Sequence, residues 1–116
     1  MTTIKVIVVT EDDKAEEKYL SEKEMQEMIA LSDWSAFIDG ELYMWGFSKW
    51  VGWESRDTGY NSVANELYIE YRGIEDVCIA GPVMFADGRG QGKSITEKGE
   101  QLLRSYLEKI ERSKNA

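Results

Sequence analysis

The sequence predicts an α+β fold: a small antiparallel sheet of about five strands with two helices, one after the first strand and one C-terminal. Three observations carry that prediction. The chain opens on a β-branched run, Ile4-Lys5-Val6-Ile7-Val8-Val9, it holds the hairpin signal Asp39-Gly40, and it closes on an amphipathic segment. The pattern offers no alternating strand–helix–strand units, which argues against a doubly wound sheet. With 116 residues and no linker or internal repeat, the chain reads as a single domain over 1–116.

The first strand, Ile4 to Val9, ends at the polar turn Glu11-Asp12-Asp13. The next clear signal is a helix start. Ser21 and Glu24 have the spacing of a capping box, in which each side chain satisfies the other residue's free backbone N–H. Leu20 and Met25 flank it as a hydrophobic staple, and Met25, Met28, Ile29 and Leu31 form the expected buried stripe. Asp39-Gly40 then predicts a two-residue type I′ turn. Pairing outward from it sets Phe37 against Leu42, Ala36 against Tyr43 and Trp34 against Trp45, with apolar side chains on both faces. Such a hairpin is expected either in the centre of a sheet or with one face turned to a partner.

Beyond the hairpin, Gly46 to Trp53 has strand composition broken by glycines, and Gly59 to Asn65 reads as a loop. Leu67, Ile69 and Tyr71 alternate at period two and predict a strand over Glu66–Tyr71, followed by another over Glu75–Ala80. Val83-Met84-Phe85, just after Gly81-Pro82, reads as a short edge strand. The last helix is expected to start near Ser94 or Thr96, with Leu102, Leu103, Tyr106, Leu107 and Ile110 on one face.

Composition bounds the function. The net charge is −8, and it is uneven: Glu11 to Glu27 holds eight carboxylates against three lysines. Such a chain repels nucleic acid and anionic lipid, so neither is expected as a direct partner. No segment approaches the length of a membrane span, and the start of the chain lacks a signal-peptide pattern, so a cytoplasmic location is expected. The single cysteine, Cys78, sits in an apolar run beside Glu75 and Asp76, which suits a buried structural thiol better than a reactive one. Histidine is absent, which removes the usual general base and the commonest zinc ligand. No metal or cofactor is expected, and no catalytic constellation is visible.

Three features of the sequence bear on binding. The loop Asp87-Gly88-Arg89-Gly90-Gln91-Gly92-Lys93-Ser94 ends like a phosphate loop, but Asp87 stands where the first glycine of that motif belongs. A solvated loop is the better reading, with anion binding through Arg89 and Lys93 as the weaker one. From Gly88 to Leu103 the chain resembles the wing-to-last-helix segment of winged-helix transcription regulators, over 16 residues of 116. The upstream sequence has no helix-turn-helix pair or basic recognition helix, so the likeness carries no DNA-binding assignment. The third feature is aromatic. Trp34, Tyr43, Trp45, Phe47, Trp50, Trp53 and Tyr60 fall within 27 residues. Core filling accounts for Trp34 and Phe37, whereas Trp45, Trp50 and Trp53, with Arg56 nearby, are the candidates for a ligand or partner contact.

These readings converge on a small acidic protein-interaction module without catalytic activity, which would use Asp12, Asp13, Glu16 and Glu17 to mask a basic surface of another protein. Small phage-encoded inhibitors of host defence act by this strategy. The alternative is a binder for a nucleotide-like anion, using the aromatics with Arg56, Arg89 or Lys93. A homodimer is a further expectation, from the two-sided hairpin and exposed strand edges.

Overall fold

A computed structural model describes residues 3–47, 59–73, 78–88 and 93–114. The order is β1 (Ile4–Val9), β2 (Ala15–Leu20), α1 (Glu22–Leu31), β3 (Trp34–Asp39), β4 (Leu42–Gly46), α2 (Ser62–Arg72), β5 (Val83–Ala86) and α3 (Glu97–Lys114). The strands form one five-stranded antiparallel sheet in the order β2-β1-β5-β4-β3. The α+β class and the five antiparallel strands agree with the sequence-based expectation. The inventory differs: the described residues hold three helices, and the first follows the second strand.

Pleating sends alternate residues of β1 into two separate cores. Ile7 and Val9 join Leu42, Met44, Val83 and Phe85 beneath α2 and α3, which contribute Val63, Leu67, Leu103 and Tyr106. Ile4, Val6 and Val8 join Met84, Trp45, Leu20 and Met25 on the opposite face, beneath α1. β5 is buried at every position. A strand covered on both faces is apolar throughout, and Val83-Met84-Phe85-Ala86 therefore lies at the centre of the sheet, not at its edge.

α1 is built as its residues dictate. Ser21 Oγ accepts from Glu24 N–H at 3.1 Å, and Glu24 Oε1 accepts from Ser21 N–H at 3.0 Å. That pair holds the Glu24 carboxyl below its ordinary range, the Ser21 backbone bond being the larger cause. Leu20 and Met25 are both buried in the same cluster. Leu31 departs from the expectation. It is 72% exposed, because α1 ends there and Ser32 adopts extended backbone.

Hairpin β3–β4 forms one residue out of the predicted register. Phe37 faces Tyr43, Ser35 faces Trp45, and Trp34 faces Gly46, with an irregularity between Phe37 and Asp39. Neither Asp39 nor Gly40 takes positive φ, so the turn is not type I′. Instead Asp39 Oδ1 accepts from the N–H groups of Glu41 and Leu42, at 2.7 and 3.1 Å. The slip moves Tyr43 and Trp45 to the α1 face with Phe37, and leaves Trp34 and Ala36 on the other. The indole of Trp34 lies where a side chain on residue 46 would stand, which only glycine permits. Phe37, expected in the core, is 44% exposed on the edge strand. The hairpin is peripheral, since β3 is an edge of the sheet.

α2 replaces the predicted loop and strand over Gly59–Tyr71. Asn61 caps it, accepting from Ala64 N–H at 3.1 Å, and Gly73 ends it at φ 70°. The capping Asn61 and Asn65, in the first turn, are also anchors. Asn61 Nδ2 donates to the carbonyls of Val9 and Gly81 at 3.0 and 2.9 Å. Asn65 pairs with both backbone groups of Ile79, donating at 2.8 Å and accepting at 2.9 Å. Asn61 is fully buried and Asn65 is 2% exposed, so every bond is made without competition from water. The predicted strand over Glu75–Ala80 falls partly outside the described residues. Within them, Ala80 makes an isolated bridge to Tyr60.

Candidate functional site

β2 and α1, consecutive in the chain, carry the acidic surface. Glu11, Asp12, Glu16, Glu17, Glu22, Glu24 and Glu27 are exposed there, and Asp13 is half-buried in the β1–β2 turn at φ 60°. The register of β2 on β1 sets Glu16 beside Val8 and Glu17 beside Ile7. The two acids therefore leave the strand on opposite faces, and they meet different fates.

Glu17 is neutralised. Its carboxylate lies 2.8 Å from Arg104 Nη2 and 3.6 Å from Lys5 Nζ. Both cations also hold Glu100, Lys5 Nζ at 2.6 Å and Arg104 Nε at 3.0 Å. This four-membered cluster ties β1 and β2 to α3. The Lys5 hydrogen bond is the main reason that the Glu100 carboxyl sits below its ordinary range and the Lys5 ammonium above its own. Glu11, Asp12, Glu16, Glu22 and Glu27, by contrast, make no ion pair among the described residues. Their field is open to a partner.

The glycine-rich loop is docked rather than solvated where it is described. A side chain on Gly88 would run into the backbone of Asp39 and Leu42, so the chain crosses the β3–β4 turn there as bare backbone. Ser94 Oγ accepts from Lys5 N–H at 2.9 Å, and Ile95 N–H donates to the Lys5 carbonyl at 2.9 Å. The hydroxyl that a phosphate site would use is thus committed to β1. Thr96 caps α3, accepting from Gly99 N–H at 3.0 Å and donating to the Glu41 carboxylate. Lys93 is exposed. Arg89 lies outside the described residues, as do Trp50, Trp53 and Arg56.

Trp45 is a core residue. It is 2% exposed, and its ring stacks at 4.7 Å on Tyr43 beneath α1. It cannot touch a ligand without the sheet opening. Helices cover both faces of the sheet, so a tryptophan in β4, an interior strand, is buried whichever face it takes.

One groove went unread in the sequence. Between α2 and α3 lies a depression of about 380 Å³ lined by Glu70, Tyr71, Leu102, Tyr106, Lys109 and Arg112. Lys109 Nζ sits 5.7 Å from the centre of the Tyr106 ring, a cation–π distance. Tyr71 is 39% exposed, and partial burial, with Glu70 beside it, pushes its phenol above the ordinary range. Reading 66–71 as a strand hid this face, because only helical spacing brings Glu70 and Tyr71 opposite Leu102, Tyr106 and Lys109.

Among the described residues no group of three or more histidine, cysteine or acidic side chains is placed to hold a metal ion. No helix there is long and apolar enough to cross a membrane. No family model matches the chain, and neither a curated protein nor a solved structure shows significant similarity to it.

Proposed function

We propose that this protein is a small non-enzymatic interaction module that binds a basic surface of another protein and masks it, as small phage-encoded inhibitors do. One observation carries the reading: Glu11, Asp12, Glu16, Glu22 and Glu27 stand exposed on consecutive elements and make no ion pair among the described residues. Unscreened carboxylates of one sign raise the encounter rate with a basic partner and reject acidic ones. The same field disfavours direct contact with nucleic acid or anionic lipid. The proposal places the protein in the cytoplasm, where the buried thiol of Cys78 stays reduced. The test is capture from a host lysate on the immobilised protein, with mass spectrometry of the bound fraction. A stoichiometric partner that is lost on the triple change E11K/D12K/E16K supports the reading; a partner held equally by that variant contradicts it.

The α2–α3 groove favours a second reading, a site for a nucleotide-like anion. Tyr71 offers ring surface, and Lys109 and Arg112 offer charge, within a volume that suits a small ligand. Titration of a nucleoside monophosphate should shift the amides of 70–71 and 102–112 in the wild type and leave them unmoved in K109E/R112E.

A further inference from the structure

The α2–α3 groove carries charge of both signs, and the two signs do not cancel. Glu70 stands exposed on α2, Lys109 and Arg112 stand exposed on α3, and all three line the depression. No ion pair joins the carboxylate to either cation among the described residues. Each cation is held by its own helix instead. Lys109 Nζ lies over the Tyr106 ring, and Arg112 Nε donates to the Glu108 carbonyl at 3.4 Å. That bond leaves the two terminal guanidinium nitrogens of Arg112 for an anion. Positions 109 and 112 are three residues apart, so both cations serve one side of α3. On the other wall, Glu70 is followed directly by the partly exposed ring of Tyr71. The ligand that satisfies both walls is bipolar. It brings an anion to α3, and to α2 a flat ring whose edge donates hydrogen bonds.

We infer that the groove takes a free guanine nucleotide, with Glu70 as the residue that selects the base. The inference rests on the nucleotide reading of this groove and names its ligand. An ionised carboxylate has two acceptor oxygens and no proton to donate. Among the common bases only guanine presents two adjacent donors, N1–H and the 2-amino group, on its Watson–Crick edge, and a carboxylate accepts from both at once. Adenine and cytosine set a ring-nitrogen lone pair beside the amino group, and uracil flanks its single N–H with carbonyls. Each of these turns an acceptor toward the carboxylate, and like partial charges repel. Tyr71 supplies a stacking face, and the phosphate lies toward Lys109 and Arg112. The volume of about 380 Å³ accommodates a nucleotide. The net charge of −8 opposes a polynucleotide, so the ligand is a free nucleotide and not the end of an RNA.

The test is calorimetric titration of the whole ¹⁵N-labelled chain with guanosine, inosine and adenosine monophosphates, the amides of 70–71 and 102–112 being followed in parallel. Guanosine monophosphate should bind about tenfold more tightly than adenosine monophosphate. The inosine compound lacks the 2-amino group and should fall between them. Glu70 is exposed, so Glu70→Gln should keep the wild-type melting temperature. Its amide sets a donor beside an acceptor, the complement of adenine, and the preference should reverse toward adenosine monophosphate. Wild-type protein that does not prefer the guanine compound, or Glu70→Gln that still does, overturns the base assignment alone. Groove amides that none of the three nucleotides moves overturn the nucleotide site with it. An RNA decamer opening on 5′-phosphoguanosine should bind more weakly than the monophosphate, and tighter binding overturns the choice of a free ligand.

Discussion

Two polar networks hold helices onto this sheet, and they differ in nearly every physical respect. Asn61 and Asn65 tie α2 to β1 and to the segment around Ile79 through neutral, buried hydrogen bonds. Lys5, Glu17, Glu100 and Arg104 tie α3 to β1 and β2 through charges, with side chains 22 to 45% exposed. Water competes for the second set and cannot reach the first. Removing a buried partner strands a desolvated group, whereas removing an exposed one returns its mate to solvent. The fold therefore depends on two asparagines, and its many surface charges are free to serve binding.

The variants that break this contrast rank accordingly. Asn61→Ala deletes the α2 cap and the bonds to Val9 and Gly81, and should cost about 4 kcal/mol in denaturant unfolding. Gly88→Ala places a methyl group against the backbone of Asp39 and Leu42, and should cost about 2 kcal/mol by moving the β3–β4 turn. Ser21→Ala loses a cap at the surface, for about 1 kcal/mol. Arg104→Ala should cost only about 0.5 kcal/mol at neutral pH.

That last variant sharpens the comparison through pH. Glu100 is depressed below its ordinary value of 4.5, first by the Lys5 hydrogen bond and then by Arg104. A depressed carboxylate stabilises the fold above its unfolded-state pKa and yields that stability as pH falls through the folded value. Melting temperature should therefore drop as pH falls below 4.5, and Arg104→Ala should shrink the drop. The asparagine network has no titrating group and should contribute nothing to that slope.

What could be read in the sequence was local. The capping box at Ser21 and Glu24 needs only residues three apart, and it formed as predicted. The face of α3 that buries Leu103 and Tyr106 was legible for the same reason. β2 was not, because Ala-Glu-Glu-Lys-Tyr-Leu buries Leu20 alone and becomes a strand through pairing with β1. α2 was misread because Leu67, Ile69 and Tyr71 alternate. The competing signal was Asn61 before the element and Gly73 after it, with Val63, Ala64, Leu67 and Tyr68 buried on one helical face. Of the candidate site, the acidic stretch was legible as composition. Its division into a paired Glu17 and an open Glu16 depended on the register of one strand.

The weak coupling of surface charge to stability makes one measurement decisive: affinity for the captured partner, against salt concentration, for wild type and E11K/D12K/E16K. The account predicts affinity that falls steeply with salt in the wild type, and a variant with an unchanged melting temperature that binds at least about tenfold more weakly. A variant that folds and binds like the wild type, with no salt dependence in either, would contradict it.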